Sequence, residues 1–258
     1  LGLQRTPDTT AHVLALRGRR PDAPPLRVAF ASDFHAGATT HPALLAEACR
    51  RLVDARPDVV LLGGDYVAIQ ACDVEPLVGL LADVTAPLGK FAVLGNHDLL
   101  QDDAHVARRL EAAGVRVLVN GSARLPAPHD DVWICGLDDP IFGEPDAGRA
   151  LADADGHRIV LMHAPDGLLA LDGHRFDLAL CGHTHGGQIA APWGWAPVVP
   201  AGRLSRRFVR GLHGLRDGGS LLVSRGIGCS NVPVRLFAGG EVHLCELVAG
   251  AAPARTVR

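Results

Sequence analysis

Short apolar runs recur along the chain, each closed by glycine or a polar residue, and the stretches between them carry helical spacing. The runs at 26–32, 59–62, 90–94, 132–137, 158–162, 178–180, 221–224 and 241–248 read as buried strands. Leu44, Leu45, Ala48, Cys49, Leu52 and Val53 fall on one face of a helix over 41–55, and helices follow near 74–84, 104–113 and 147–152. A short strand at 115–119 and a helical turn at 167–171 complete the alternation. Strand, helix and strand in succession make a βαβ unit, so the first core strands should be parallel and an α/β fold should place its ligand at their carboxyl ends. One domain over 1–258 is expected. Residues 1–25 form a leading segment with a possible edge strand at 12–16, and 249–258 form a frayed tail. Residues 189–219 show no period, and a loop region of that length is expected to face the substrate.

What closes the runs is chemically uniform. Asp33 and His35 follow the first core strand, Asp65 follows Gly63 and Gly64, and Asn96, His97 and Asp98 follow Gly95. His163 ends a later strand, and His183 and His185 sit among glycines just past Cys181. On extended backbone, residues i and i+2 project the same way, so Asp33 with His35 and His183 with His185 each present paired donors. Taken singly, each has a plain explanation. An Asx turn accounts for Asp33 but not His35, Asn96 can be a turn residue, and His163 a satisfied loop histidine. Five strand ends in order, each stopping on a ligand type, point instead to a pair of borderline ions, manganese, zinc or iron, and fit calcium poorly.

Composition narrows the setting. The 258 residues are 48% apolar, ample for a sizeable core, and the 30 glycines and 18 prolines cluster at the ends of apolar runs. A net charge of −3 argues against nucleic acid as the main partner. The six cysteines show no CxxC spacing and read as buried reduced thiols. No run approaches about 20 apolar residues, so no transmembrane helix is expected. The chain starts at Leu1 rather than methionine, which is compatible with a preceding signal or anchor.

In order and spacing, Asp33-x-His35, Gly63-Gly64-Asp65, Gly95-Asn96-His97-Asp98, His163 and Gly182-His183-Thr184-His185 resemble the five motif blocks of the calcineurin-like metallophosphoesterases. Gly186-Gly187-Gln188, the stretch from Val223 to Gly228, and Pro233-x-Arg235 resemble the bacterial YkuE-like branch of membrane-associated phosphodiesterases, although Phe208 stands where related sequences often carry tyrosine. The resemblance implies a four-layer αββα sandwich. It implies one ion on Asp33, His35 and His185, another on Asn96, His163 and His183, and Asp65 bridging both. His97 would face the substrate phosphate, with Asp98 orienting its imidazole. The implied activity is dimetal-dependent hydrolysis of a phosphodiester or pyrophosphate bond by a metal-bridging hydroxide, with a nucleotide-linked lipid such as UDP-2,3-diacylglucosamine among the substrates. The implied location is cytoplasmic or peripherally membrane-associated. Two readings compete: a metal-stabilised binding or scaffold protein without turnover, and a nuclease, against which the net charge counts.

Overall fold

In the computed structural model, which describes residues 4–200, 202–216, 218–250 and 255–257, the apolar runs assemble into two mixed sheets. The first half of the chain supplies β1 (Asp8–Leu16), β2 (Leu26–Ala31), α1 (Pro42–Asp54), β3 (Val59–Leu62), α2 (Glu75–Ala82), β4 (Lys90–Ala92), α3 (Asn96–Leu99), α4 (Asp103–Ala112) and β5 (Val115–Val117). The second half supplies β6 (Gly121–Arg124), β7 (Val132–Gly136), α5 (Ala147–Leu151), β8 (His157–Leu161), β9 (Leu178–Cys181), β10 (Gly211–Gly214), β11 (Ser220–Val223), β12 (Glu241–Ala249) and β13 (Arg255–Val257). One sheet runs β13-β1-β12-β2-β3-β4-β5 and the other β10-β11-β9-β8-β7-β6. As the βαβ spacing requires, β2, β3, β4 and β5 are mutually parallel, and so are β7, β8, β9 and β11.

Alternation along the strands sorts the core into three apolar layers. Val28 and Phe30 of β2 point between the sheets, where they join Ile159 of β8 and Leu180 of β9. Ala29 and Ala31 point the other way, into a cluster with Leu45 and Leu52 of α1 and Leu110 of α4. Beyond the second sheet, Val160 and Ala179 meet Ala150 and Leu151 of α5. Helix, sheet, sheet and helix are therefore stacked in four layers, as expected. Local chemistry sets the helix starts: His41 caps α1 by accepting from the Ala43 N–H at 3.2 Å, and Pro42 at the first helical position has no N–H to satisfy.

Both chain ends depart from the expectation. The strand expected at 12–16 as an edge covers Asp8–Leu16, pairs in parallel with β12 along its whole length and with β13 on its other side, so it lies inside the sheet. The expected frayed tail contributes the end of β12 and then β13, while residues 251–254 and 258 of that tail lie outside the described residues. The stretch 189–219 contains β10, which pairs antiparallel with β11. All six cysteines are unpaired, five of them buried. Among the described residues no helix is long and apolar enough to cross a membrane.

Candidate metal centre

The carboxyl ends of β2, β3 and β4 in one sheet, and of β8 and β9 in the other, open on one rim of the sandwich. There the structure brings together all seven residues expected as ligands. Asp33, His35, Asp65 and His185 form one buried group and Asp65, His163 and His183 a second, with the donor atoms of each group within 4.8 Å of one another. Asp65 belongs to both. Asn96 joins the second group through its side-chain oxygen, 3.0 Å from His163 Nε2 and 2.9 Å from His183 Nδ1.

The spacing inside the groups fits ions. Donors held about 2.0–2.2 Å from a metal stand about 3–3.5 Å from each other in tetrahedral or octahedral arrangements. In the first group, His35 Nε2 lies 3.1 Å from His185 Nε2 and 3.4 Å from Asp65 Oδ2, and His185 Nε2 lies 3.5 Å from Asp33 Oδ1. In the second, His163 Nε2 lies 3.3 Å from Asp65 Oδ2 and 3.2 Å from His183 Nδ1. Outer contacts orient the rings. His163 Nδ1 donates to the Gly63 carbonyl at 2.8 Å, which turns Nε2 toward the group.

Electrostatics favour a cation at both places. Burial pushes the Asp33 carboxyl up to about 6 despite the His163 charge nearby. For Asp65 burial acts the same way, but the charge of His163 and its hydrogen bond to the carboxylate overcome it and hold the group well below the usual carboxylate range. Burial pushes His35 down to about 3 and His185 well below its ordinary value, His185 further through the Arg235 charge beside it, so both rings offer free lone pairs. His163 moves upward: Asp65 more than offsets its burial, and an ion bound at His163 would displace that proton.

The backbone carrying these residues is not extended, contrary to the reasoning on i and i+2 pairs. Asp33, His35, Asp65, His183 and His185 all have positive φ, between 44° and 68°. Side chains in this left-handed region cost about 1–2 kcal/mol per residue, so the surroundings must hold them there. They do so with backbone bonds between the strand ends, Asp33 N–H to Gly64 O at 2.9 Å and His35 N–H to Asp65 O at 3.0 Å, and with the His183 N–H donating to Asp33 Oδ1 at 2.9 Å. Two glycines make the close approach possible. A Cβ on Gly182 would collide with Asp33 Oδ2, and one on Gly95 with Asp65 Oδ1.

His97 lies at the edge of the first group, its ring 4.6 Å from that of His35 and nearly perpendicular to it. What orients it is the Ala68 carbonyl and not the expected Asp98. His97 Nδ1 bonds to the Ala68 carbonyl at 2.9 Å. The Asp98 carboxylate is engaged elsewhere: Oδ2 accepts from the Asp65 and Gly95 N–H groups and Oδ1 from those of Tyr66 and Val67. A buried anion facing four backbone donors staples the β3 and β4 ends together, so Asp98 shapes the centre through the chain.

Sequence reasoning assigned no role to several residues that the structure ties to the site. The buried Arg235 guanidinium donates to His185 Nδ1 at 3.0 Å and to the Gly228 and Ala238 carbonyls. Its only signal was its place in Pro233-x-Arg235. Asp166, three residues past His163, accepts from the N–H groups of Leu204 and Ser205 and from the Ser205 hydroxyl, pinning the 189–219 stretch to the centre. Asp139 accepts from the Ile141 and Phe142 N–H groups and fixes that loop. Between that loop and the segment after Gln188 lies a cavity of about 570 Å³. Asp65, Asn96, His97, His183 and His185 form its floor, and Ile141, Phe142, Ile189, Val198 and Val232 contribute apolar walls.

The sequence matches the model of the calcineurin-like phosphoesterase family over residues 26–187. It is 31% identical over 236 residues to phosphodiesterase YaeI of Escherichia coli (strain K12), covering 89% of this chain and 84% of that protein. To the uncharacterized metallophosphoesterase YkuE of Bacillus subtilis (strain 168) it is 32% identical over 205 residues, covering 75% of this chain and 69% of that one. A Bos taurus transmembrane protein with a metallophosphoesterase domain is 28% identical, and the match covers 98% of this chain and 59% of that one. Among solved structures, the 5'-nucleotidase precursor of Thermus thermophilus aligns with a TM-score of 0.48 at 16% identity, over 86% of this chain and 55% of that one. The chain thus spans about half the length of that nucleotidase.

Proposed function

Since the chain belongs to the calcineurin-like phosphoesterase family, and so is a phosphoric ester hydrolase dependent on two metal ions, we propose that its substrate is a phosphodiester with an apolar group on one side. In this reading Asp33, His35 and His185 hold one ion, Asn96, His163 and His183 the other, and Asp65 both. The observation that carries it is the pair of buried donor groups meeting at one carboxylate on the floor of a cavity. Nitrogen and oxygen donors in this mixture suit manganese, zinc or iron. When bound, such a pair supplies Lewis acidity to phosphoryl oxygens and lowers the pKa of water toward neutrality.

The protein's own groups do the rest. Asp65 keeps the two donor groups in register, and Asp98 fixes the backbone under it. His97 lines the cavity, and because Nδ1 is committed to the Ala68 carbonyl, Nε2 is the atom that carries or yields a proton. With a second proton on Nε2, the imidazolium would stabilise negative charge on the phosphoryl group and pass that proton to the leaving oxygen, keeping the Nδ1 proton on the Ala68 carbonyl. The apolar walls at Ile141, Phe142, Ile189, Val198 and Val232 would seat an alkyl or aryl substituent, which supports a lipid-linked diester or pyrophosphate such as UDP-2,3-diacylglucosamine.

The test is a substrate panel of a phosphomonoester, a small diester, a nucleotide-linked lipid and single-stranded DNA, assayed with manganese, zinc and iron added separately. Diester hydrolysis with the lipid-linked substrate preferred is expected. Preference for DNA would favour a nuclease. Metal binding without turnover on any substrate would favour the scaffold reading.

A further inference from the structure

The segment 189–214 differs from the rest of the molecule in charge and in exposure. The chain carries 28 acidic and 25 basic residues, yet this segment holds Arg203, Arg206, Arg207 and Arg210 and no aspartate or glutamate. Arg203, Arg206 and Arg207 are exposed and, among the described residues, in no ion pair. The same segment turns large apolar side chains outward: Trp193 is 79% exposed, Trp195 63% and Val198 73%. Phe142, Ile189 and Val232, which with Val198 wall the cavity over the metal centre, are exposed too, so the apolar surface runs from the tryptophan turn to the cavity mouth. Globular proteins seldom leave such a patch facing water without a partner for it.

The tryptophans are held out by an ordered frame. The Ala191 N–H donates to the Trp195 carbonyl at 2.7 Å and the Gly194 N–H to that of Ala191 at 2.8 Å, and Gly194 takes a φ of 93°. The Arg210 guanidinium lies so close over Gly194 that a Cβ there would collide with it, which puts a cation beside the two indoles. At its base the segment is fastened to both sides of the metal centre, by Asp166 to Ser205 and by the Thr184 hydroxyl to the Val209 carbonyl at 2.7 Å. Whatever covers the indoles is therefore held in fixed relation to the cavity.

We propose that this segment docks the protein on an anionic phospholipid surface, with Trp193 and Trp195 in the interface and Arg203, Arg206 and Arg207 on phosphate groups. Indoles combine an apolar body with a polar N–H suited to the boundary layer, and guanidinium groups pair with phosphate. A second copy of the chain is a poor occupant: in a two-fold contact the segment would bring no acid to its own arginines. Docking would open the cavity at the lipid–water boundary, within reach of a lipid-linked diester. That consequence rests on the proposed substrate, but the docking does not.

The test is co-sedimentation of the full chain with vesicles of mixed phosphatidylglycerol and phosphatidylcholine, against vesicles of phosphatidylcholine alone. Binding to the anionic vesicles only, weakened by added salt, is expected. Trp193→Ala with Trp195→Ala should lower partitioning about tenfold or more. Arg206→Gln with Arg207→Gln should lower it about fivefold per arginine. Both variants should hydrolyse bis-p-nitrophenyl phosphate like the parent, which also shows that they fold. Failure of the parent to bind, equal binding to neutral vesicles, or unchanged binding by both variants would overturn the proposal, as would a dimer in solution that the tryptophan substitutions dissolve. Hydrolysis of the soluble diester without vesicle binding defeats docking alone, and vesicle binding without hydrolysis defeats the substrate reading alone.

Discussion

Replacing Asp98 by asparagine tests how the strand ends that carry the centre are held together. The fully buried carboxylate accepts from Asp65 and Gly95 through Oδ2 at 2.9 Å each, and from Tyr66 and Val67 through Oδ1 at 2.9 and 3.3 Å. An amide keeps one acceptor oxygen and turns an NH₂ toward two of these donors, so two backbone N–H groups lose their partner. A hydrogen bond to a charged group contributes about 1.5–3 kcal/mol, which for two gives about 3–6 kcal/mol. Part is recovered, because burial and the neighbouring Asp65 push the Asp98 carboxyl up to about 7, so keeping it ionised is itself costly. The low end, about 3 kcal/mol, is a large part of a native stability of about 5–15 kcal/mol. At about 2–4 °C per kcal/mol for a chain of this size, the melting temperature of the metal-free protein should fall by about 6–12 °C. Thermal melts would be read together with metal content and turnover of the loaded enzyme. A lower turnover with unchanged melting temperature would refute the staple and restore an orienting role of Asp98 on His97.

Asp65→Asn should lose metal and activity together, because it removes the charge both donor groups share; elemental analysis finding two ions per chain with normal turnover would contradict the bridge. His97→Asn should keep its metal and lose on the order of 10²–10⁴ in rate, as single-turnover measurements on the loaded enzyme would show. Gly182→Ala drives a methyl into Asp33 Oδ2 and should abolish metal uptake in a calorimetric titration. By contrast Gly79→Ala in α2 meets nothing within 4 Å and should raise stability by about 0.5–1 kcal/mol in urea melts.

The layers and the ligand types were legible because they rest on patterns a linear chain displays. Val59–Leu62 and Leu178–Cys181 are buried on both faces, so they read as unbroken apolar runs, and the residue types that follow them are those of a metal site. The short strands Gly121–Arg124, Gly211–Gly214 and Arg255–Val257 lack such runs and form only by pairing, the first two with the next strand in the chain and the third with β1 at the far end of the sequence. The left-handed backbone at Asp33, His35, Asp65, His183 and His185 left no local trace, since bonds between separate strand ends impose it. Asp98 was legible as a carboxylate beside His97 but not as the acceptor for four N–H groups from two loops, and Arg235 could not be placed on His185 across 50 positions of sequence.

The central claim, two ions sharing one carboxylate, is tested most directly by anomalous scattering from crystals of the manganese-loaded protein at the metal edge. The account predicts two peaks, one ringed by Asp33, His35 and His185 and the other by Asn96, His163 and His183, with Asp65 touching both. A single peak, or a second ion that Asp65 does not touch, would contradict it.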